Sequence, residues 1–202
     1  MIKAGIFDVG NVLIHWNGQL MADDISRELH IAPEIFWKIW NEYEDKLDRG
    51  LMNEQAFWKN FLEESGQHFE MPTESLIARE FAIRFNPNNE MIVLVKNIKT
   101  MGLKTAILSN TNEPHALFLR SKAMYEGFDT VVLSNEVGLR KPAPKIYELV
   151  LERLGVQAQE TFFVDDLQEN IDVANTLGIH GILIESNEQV KRDIAKLGVN
   201  LN

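Results

Sequence analysis

The sequence predicts an α/β fold, in which a parallel sheet covered by helices is interrupted once by an all-helical insertion. Short apolar runs alternate with longer helical patterns along 86–202, which is typical of a parallel sheet with helices on both faces. The first apolar run, residues 4–7, is separated from the later runs by the purely helical stretch 16–85. We therefore predict an α/β core formed by residues 1–15 and 86–202 and a helical insertion formed by residues 16–85.

The predicted insertion shows the apolar spacing of helices. Its large apolar residues recur at steps of three and four, namely Ile35, Phe36, Ile39 and Trp40, and then Phe57, Trp58, Phe61 and Leu62. All four tryptophans lie in this stretch. Helical spacing favours a place for Trp37 and Trp58 in the insertion's own core over stacking on a carbohydrate. Pro72-Thr73 is expected to open a further helix.

After Pro87 the pattern predicts strands and helices in turn. Beyond the first strand at 4–7, the predicted strands are Leu103–Leu108, Asp129–Leu133, Thr161–Val164 and Ile179–Ile184. The predicted helices are Glu90–Met101, a segment after Pro114, Pro144–Leu154, Leu167–Leu177 and Asn187–Leu197. Together these elements predict a Rossmann-like core.

Composition excludes several function classes. The 202 residues carry 20 basic and 30 acidic side chains, a net charge of −10, so a broad face for nucleic acid or an anionic membrane is not expected. The chain has no cysteine, which excludes disulfides, thiolate nucleophiles and cysteine-bound zinc, and fits a reducing compartment. No apolar run reaches the length of a membrane span. We expect a cytoplasmic protein that is a monomer or a homodimer.

Polar side chains follow several of the predicted strands. Asp8 follows the first strand, Ser109-Asn110-Thr111 the second, and Asp165-Asp166 the strand at 161–164, while Lys141 lies in a loop. Because ligands bind beyond the carboxyl ends of parallel strands, these side chains are expected to converge on one site.

The residue types suit phosphoryl chemistry. A carboxylate such as Asp8 can attack phosphorus and form an acyl phosphate that water cleaves. The adjacent carboxylates Asp165 and Asp166 repel each other unless a cation joins them, and Mg²⁺ prefers such oxygen ligands. The Ser109 hydroxyl and the backbone N–H groups after Asp8 can hold phosphate oxygens, and Lys141 can neutralise charge. Singly, each of these residues is more often part of a turn, a helix cap or a solvated surface charge than of a catalytic site, and the adjacent pair Asp165-Asp166 is the least ordinary of them. The joint arrangement favours chemistry.

Four segments together resemble the signature motifs of the haloacid dehalogenase superfamily. They are Phe7-Asp8-x-Gly10-Asn11-Val12, Leu108-Ser109-Asn110-Thr111-Asn112, Gly138-Leu139-Arg140-Lys141-Pro142 and Phe163-Val164-Asp165-Asp166-x-x-x-Asn170. The resemblance covers essentially the whole chain, and the insertion looks like the helical cap of that family. It is closest to bacterial phosphatases that act on α-D-glucose 1-phosphate, a branch related to the phosphatase lobe of epoxide hydrolases.

The resemblance implies a role for each matched position. Asp8 is expected to be the nucleophile and a direct Mg²⁺ ligand, and Lys141 to bridge it to the phosphoryl group. The other expected metal ligands are the backbone carbonyl of Gly10, Asp166 directly, and Asp165 largely through metal-bound water. The expected contacts to a small phosphorylated metabolite are Ser109, Asn110, Val9, Gly10, Asn112 and His115.

One position departs from the family pattern. Most phosphatases of the superfamily carry a second aspartate two residues after the nucleophile, as general acid and base, and this chain has Gly10 there. The enzyme is then inactive or slow, or another group substitutes, or the leaving group needs less protonation. We favour the last hypothesis, because an anomeric oxygen is a better leaving group than an ordinary alkoxide. The hypothesis is an Mg²⁺-dependent sugar-phosphate phosphatase with an aspartyl-phosphate intermediate.

Two alternatives stay open. A 2-haloacid dehalogenase uses the same nucleophile without a metal, so the pair Asp165-Asp166 favours phosphoryl transfer over it. A catalytically weakened binding protein on the same fold is the other. Substrate selection is assigned to the cap and to the loop after Asn112. His115 is there either a sugar or proton contact or, as we favour, an exposed loop residue. The charged residues Glu44, Asp45, Asp48 and Arg49 before Gly50 suit a turn facing the site or a solvated helix end equally well.

Overall fold

The α/β fold class is confirmed, with a five-stranded parallel sheet at its centre and helices around it. The computed structural model describes residues 1–66 and 70–201, so residues 67–69 of the predicted insertion lie outside the described part of the chain. The strands are β1 (Ala4–Phe7), β2 (Ile14–His15), β3 (Asn86–Pro87), β4 (Lys104–Ser109), β5 (Thr130–Leu133), β6 (Thr161–Asp165) and β7 (His180–Leu183).

The sheet has the strand order β5-β4-β1-β6-β7, which places β1 at its centre. In the register, Phe7 lies opposite Ile107 of β4 on one side and Val164 of β6 on the other. The chain adds β4 and β5 on one side of β1 before it crosses to β6 and β7 on the other. Strand order therefore reverses around β1, which is where open α/β sheets bind their ligands.

Ten α-helices occur in the described part of the chain. They are α1 (Gly18–Glu28), α2 (Pro33–Asp48), α3 (Glu54–Ser65), α4 (Leu76–Ile83), α5 (Asn89–Thr100), α6 (Glu113–Ser121), α7 (Ser134–Val137), α8 (Pro144–Leu154), α9 (Gln168–Thr176) and α10 (Asn187–Lys196). Residues of α5, α6 and α10 pack on one face of the sheet, and residues of α8 and α9 pack on the other. None of the helices described is long and apolar enough to cross a membrane.

The helices α1 to α4 lie between β2 and β3, and we call residues 16–85 the helical insert. They enclose a hydrophobic cluster of their own that includes Trp40, Trp58 and Phe61. Trp37 is only partly buried at the edge of that cluster. The helix expected to open at Pro72-Thr73 begins instead at Leu76, because the Ser75 hydroxyl accepts a hydrogen bond from the Ala78 N–H at 2.9 Å. The boundaries of the insert as a domain stay a prediction.

A two-residue antiparallel ladder connects the insert to the core. Ile14 of β2 pairs with Pro87 of β3, and His15 pairs with Asn86. Asn88 secures the return of the chain, since its backbone N–H donates to the Leu13 carbonyl at 2.9 Å. The sequence did not predict this ladder, because two-residue strands are too short to show alternation.

Candidate active site

The carboxyl ends of β1 and β6 bring together three of the residues singled out in the sequence. The Lys141 Nζ atom lies 2.9 Å from Asp8 Oδ1 and 2.7 Å from Asp165 Oδ2. The side chains of Lys141 and Asp165 are 1% and 0% exposed, whereas that of Asp8 is 11% exposed. Asp8 is therefore the member of this trio that solvent can contact.

Burial controls the protonation of the trio. Desolvation raises the pKa of Asp8 to about 7, with Lys141 opposing the rise and Asp165 adding to it. Desolvation also works against the charge on Lys141, but Asp8 and Asp165 outweigh it, and the pKa of Lys141 is raised above its ordinary value. Lys141 is thus a permanent cation, and the state of Asp8 depends on what other positive charge is present.

Asp8, Asp165 and Asp166 each offer an oxygen within 4.8 Å of the others, the spacing of a metal site. Three carboxylates beside one ammonium leave an excess of negative charge that a divalent cation would compensate. Hard oxygen ligands in this number, with room for water, suit Mg²⁺. The predicted cofactor therefore has a site that fits its chemistry.

The two neighbouring aspartates after β6 are held differently. Asp165 Oδ1 accepts hydrogen bonds from the Leu167 N–H and from Asn170 Nδ2, both at 2.9 Å. Asp166 Oδ2 accepts a hydrogen bond from Asn11 Nδ2 at 2.8 Å, and no other donor to Asp166 occurs among the described residues. Protein donors thus occupy both oxygens of Asp165, which agrees with the prediction that it acts through metal-bound water while Asp166 binds directly. The division of roles stays a prediction.

Asn110 makes hydrogen bonds to the protein backbone, whereas we expected it to contact phosphate. Its Oδ1 accepts from the Lys141 backbone N–H at 2.8 Å, and its Nδ2 donates to the Lys141 carbonyl at 2.9 Å. The side chain therefore clamps the backbone of Lys141, and only one amide hydrogen is left for a phosphoryl group. Ser109 is buried, and its hydroxyl donates to the Asn110 carbonyl at 3.3 Å. A contact from Ser109 to phosphate stays a prediction.

The turn after Asp8 is a compact backbone loop. The Val9 carbonyl accepts from the N–H groups of Leu13 and Ile14 at 2.9 and 3.0 Å, which folds the chain back on itself. A Cβ atom added to Gly10 would meet no heavy atom within 4 Å. The structure thus leaves room at position 10 for a larger side chain. The expected contacts of Val9 and Gly10 to phosphate, and of the Gly10 carbonyl to the metal, stay predictions.

His115 is not the exposed loop residue that we favoured. It lies in the first turn of α6, its ring stacked on Phe81 at 4.1 Å between centroids and edge-on to Trp16 at 5.3 Å. Asn112 Oδ1 accepts the His115 backbone N–H at 3.1 Å, so Asn112 Nδ2 faces His115 Nδ1 at 3.4 Å as the donor. This assigns the ring hydrogen to Nε2, which is buried and has no hydrogen-bond partner within residues 1–66 and 70–201. Burial lowers the pKa of His115 to about 3.

A cavity of about 160 Å³ lies between the helical insert and these core loops. From the insert side it is lined by Trp16, Gly18, Met21, Trp37, Trp40, Glu44 and Asp48, and from the core side by Asn110, Thr111, Asn112 and His115. We name it the interface cavity. Trp37 Nε1 is a second buried donor without a partner there. Of the acidic residues near Gly50, Glu44 and Asp48 therefore face this space.

Sequence reasoning assigned no role to Arg140, Asn11 or Asn170, although all three stand inside the quoted motifs. Arg140 contacts the insert, Asn11 donates to Asp166, and Asn170 donates to Asp165. The sequence did contain one signal for Arg140. Glu44 and Asp48 are four residues apart and so lie on one face of a helix, where a single basic side chain could pair with both.

The parallel sheet and the acidic cluster at its carboxyl edge define an α/β enzyme with a site for a divalent cation. The chain belongs to the haloacid dehalogenase-like hydrolase family, whose model matches residues 2–178.

Curated relatives differ in length and in named activity. The chain is 28% identical over 183 residues to the sesquiterpene phosphatase astK of Aspergillus oryzae, covering 89% of this chain and 88% of that protein. It is 26% identical over 199 residues to the drimenol cyclase drtB of Aspergillus calidoustus, but it spans only 37% of that protein. It is 31% identical over 120 residues to the bifunctional epoxide hydrolase 2 of Sus scrofa, 56% of this chain and 22% of that protein.

A solved structure shares the architecture. The HAD-family enzyme bt-2542 of Bacteroides thetaiotaomicron, crystallised as a magnesium complex, superposes with a TM-score of 0.73 at 26% identity. The match covers 91% of this chain and 93% of that one. The prediction of a haloacid dehalogenase-like fold is confirmed. Particular closeness to the glucose 1-phosphate phosphatases stays a prediction.

Proposed function

We propose that this protein is an Mg²⁺-dependent phosphatase that hydrolyses small sugar phosphates, with α-D-glucose 1-phosphate as the first candidate, through an aspartyl phosphate on Asp8. The observation that carries the proposal is the placement of Asp8, partly open to solvent, against the buried Lys141 ammonium at 2.9 Å. We place the enzyme in the cytoplasm.

The chemistry proceeds in two displacements. A carboxylate oxygen of Asp8 forms a bond to phosphorus while the bond to the leaving oxygen breaks, and that oxygen keeps the electron pair. The leaving oxygen takes up a proton from solvent. Water then attacks the phosphorus of the aspartyl phosphate and gives up a proton to solvent while the bond between the Asp8 oxygen and phosphorus breaks, which releases inorganic phosphate and restores the carboxylate. Lys141 neutralises charge on Asp8 and on the transferring group through both steps, and Asp165 holds it in place.

Asp8, Asp165 and Asp166 are the side chains that would hold Mg²⁺. The cation would supply positive charge for bringing an anionic nucleophile to an anionic phosphate. It would also favour the ionised form of Asp8, which burial disfavours.

The interface cavity favours a sugar as leaving group. Trp37 and His115 line it, and their buried ring N–H groups have no acceptor in the described part of the chain, so the oxygens of a sugar would suit them. Tryptophan rings provide the apolar walls on which a pyranose face packs. With a pKa of about 3, His115 is neutral near pH 7, so it offers a hydrogen bond and not the proton that position 10 lacks.

The volume and charge of the cavity also favour a sugar over the substrates that the names of some relatives imply. At about 160 Å³ it holds roughly five water volumes, which is small for a fifteen-carbon terpenyl group such as astK's name implies. Glu44 and Asp48 share the single guanidinium of Arg140, so this wall keeps an excess of negative charge that would disfavour a second anionic group on the substrate. The expected leaving group is therefore neutral, hydroxylated and about one ring in size.

A phosphate-release screen tests this function. α-D-Glucose 1-phosphate, glucose 6-phosphate, farnesyl phosphate and p-nitrophenyl phosphate are compared with Mg²⁺ and with EDTA, for the wild type and Asp8→Asn. We expect release that needs Mg²⁺ and Asp8 and that is fastest with the sugar 1-phosphate. Release that persists in EDTA and in Asp8→Asn contradicts the mechanism, and chloride release from 2-chloropropionate supports the dehalogenase alternative.

The variant Gly10→Asp tests the leaving-group hypothesis, because the structure has space for the new side chain. An added general acid should accelerate glucose 6-phosphate hydrolysis, whose alkoxide needs a proton, more than glucose 1-phosphate hydrolysis. Gly10→Asn fills the same space without an ionisable group and serves as the control. Equal changes on both substrates would count against the hypothesis.

A further inference from the structure

The loop between α7 and α8 contacts the helical insert through Arg140. Arg140 Nε donates to Asp48 Oδ2 at 3.0 Å, and its Nη2 donates to Glu44 Oε2 at 2.9 Å. One guanidinium thus joins two carboxylates of α2 through two of its N–H donors. The Asp48 side chain is 10% exposed, so solvent screens this contact less than a surface ion pair.

Two further contacts seat the insert on the same loop. Arg49 Nε donates to the Gly138 carbonyl at 3.0 Å. Gly50 has a φ of +64° and lies so close to Asn135 that an added Cβ would fall 2.1 Å from its carbonyl oxygen. The backbone of the insert therefore rests directly on residues just before Arg140, a fit that only glycine at position 50 permits.

The residue after Arg140 is the buried lysine of the site. Lys141 is fixed by three groups of the core, namely Asn110 on its backbone and Asp8 and Asp165 on its ammonium. Consecutive residues thus face opposite ways, Arg140 toward the insert and Lys141 toward Asp8. Any movement of the insert that pulls on the Arg140 guanidinium acts on the backbone that carries Lys141.

We propose that Arg140 is a positioning residue that couples the seating of the helical insert to the placement of Lys141. With Glu44 and Asp48 in place, the loop holds the ammonium between Asp8 and Asp165. Without them, the loop loses its two ion pairs with the insert, and the residue next to Lys141 is no longer held from that side. The inference rests on the proposed function only for the catalytic use of Lys141, and its geometric part stands apart from any activity.

The first measurement needs no turnover. Acetic anhydride labelling followed by mass spectrometry reports the accessibility of each lysine, and Lys141 is 1% exposed in the seated arrangement. We expect Arg140→Gln, and separately Asp48→Asn, to raise Lys141 labelling several-fold relative to the exposed Lys99. Arg120→Gln is the matched control, because it breaks the exposed Arg120–Glu136 pair within the core.

The second measurement is kinetic, with p-nitrophenyl phosphate as the probe. We expect Arg140→Gln to lower kcat by about 10- to 100-fold, the usual effect of removing a residue that orients a catalytic group. Arg140→Lys should recover part of the loss, and the Arg140→Gln/Asp48→Asn double variant should be little worse than either single variant. Thermal melts of each variant test whether it is folded.

The outcomes separate the two proposals. Labelling of Lys141 that stays at the wild-type level in both Arg140→Gln and Asp48→Asn overturns the coupling, as does additive loss of kcat in the double variant. If the wild type hydrolyses no phosphate ester, the proposed function fails, while the labelling result still decides whether Arg140 positions Lys141.

Discussion

The sheet edge and the interface cavity differ in how their buried polar groups are paired. At the sheet edge, the Lys141 ammonium lies within 3 Å of a carboxylate oxygen of Asp8 and of Asp165 before any substrate is present. At the interface cavity, the buried donors Trp37 Nε1 and His115 Nε2 have no hydrogen-bond partner among the described residues. The charged groups at the sheet edge are ion-paired with one another, whereas the two neutral donors at the cavity lack an acceptor in the described part of the chain.

This difference indicates a division of labour. Buried charges are costly unless paired, so the reacting groups must be held by the protein itself. An unsatisfied neutral donor costs less, and the missing acceptor can be supplied by the substrate. Changes at the sheet edge should therefore affect every substrate alike, whereas changes in the cavity should alter the choice among substrates.

The largest effect is expected from Asp8→Asn. Loss of the proposed nucleophile should lower kcat about 10⁴-fold or more with every phosphate ester, as removal of a nucleophile does elsewhere. Phosphate release measures the loss, and acid-quenched protein should carry no acyl phosphate. A loss confined to glucose 1-phosphate would contradict the expectation that changes at the sheet edge affect all substrates alike.

Next comes Lys141→Met, which leaves Asp8 and Asp165 buried without their cation. At pH 8 in EDTA, the free energy of unfolding should fall by about 3 kcal/mol in urea denaturation, the cost of breaking a buried pair. The kcat should fall about 10²- to 10³-fold with all substrates. Lys99→Met, at an exposed position, is the control. Unchanged stability would show that Lys141 is not needed to compensate the aspartates.

A smaller effect is expected in the pH dependence of Mg²⁺ binding. The raised pKa of Asp8, about 7, means that the metal-free folded protein holds this proton more tightly than the unfolded chain. Below pH 7 the metal must displace it, so Mg²⁺ affinity should rise about tenfold per pH unit and level off above 7. Because the folded state binds this proton more tightly, the free energy of unfolding of the metal-free protein should fall as the pH rises from about 4 to 7.

Calorimetric titration of the wild type with MgCl₂ between pH 5.5 and 8.5 measures this dependence, with proton release as a second readout. Asp8→Asn removes the titrating group and should flatten the profile. Equal slopes for the two proteins would assign the proton to a different residue.

The smallest effect is expected from Trp37→Phe, which removes the open N–H and keeps most of the ring. We expect kcat/KM for glucose 1-phosphate to fall about 5- to 10-fold, the worth of one hydrogen bond, and that for p-nitrophenyl phosphate to stay nearly constant. Trp58→Phe, inside the core of the insert, should change stability and leave the ratio of the two substrates unchanged. A shift of that ratio by Trp58→Phe and not by Trp37→Phe would reverse our assignment of the cavity wall.

The sheet and the charged residues at its edge were predictable from sequence because both follow from local rules. The strand predicted at Thr161–Val164 is found at Thr161–Asp165, and parallel strands bring Asp8 and Asp165 to one edge whatever the rest of the chain does. The contact of each with Lys141 depends on tertiary packing, and the motif resemblance rather than any periodicity pointed to it.

The features that sequence did not predict are those set by tertiary contacts between polar groups. Asn110 has the same local sequence whether it binds phosphate or clamps Lys141, and only the position of the neighbouring loop decides. His115 reads as an exposed helix start until Phe81 of the insert is packed on its ring. Helical spacing places Trp37 beside Trp40, but it does not indicate which edge of the ring is left without a partner.

The ladder of β2 and β3 has a consequence for how this molecule can change over time. The chain departs from and returns to the core through adjacent strands, which run about 4.8 Å apart in any sheet. A stretch inserted there can change in length while both its ends stay at neighbouring positions of the core. Such change is limited by the residues that contact the loop before Lys141, since Glu44, Asp48 and Gly50 would have to be kept for the lysine to stay in place.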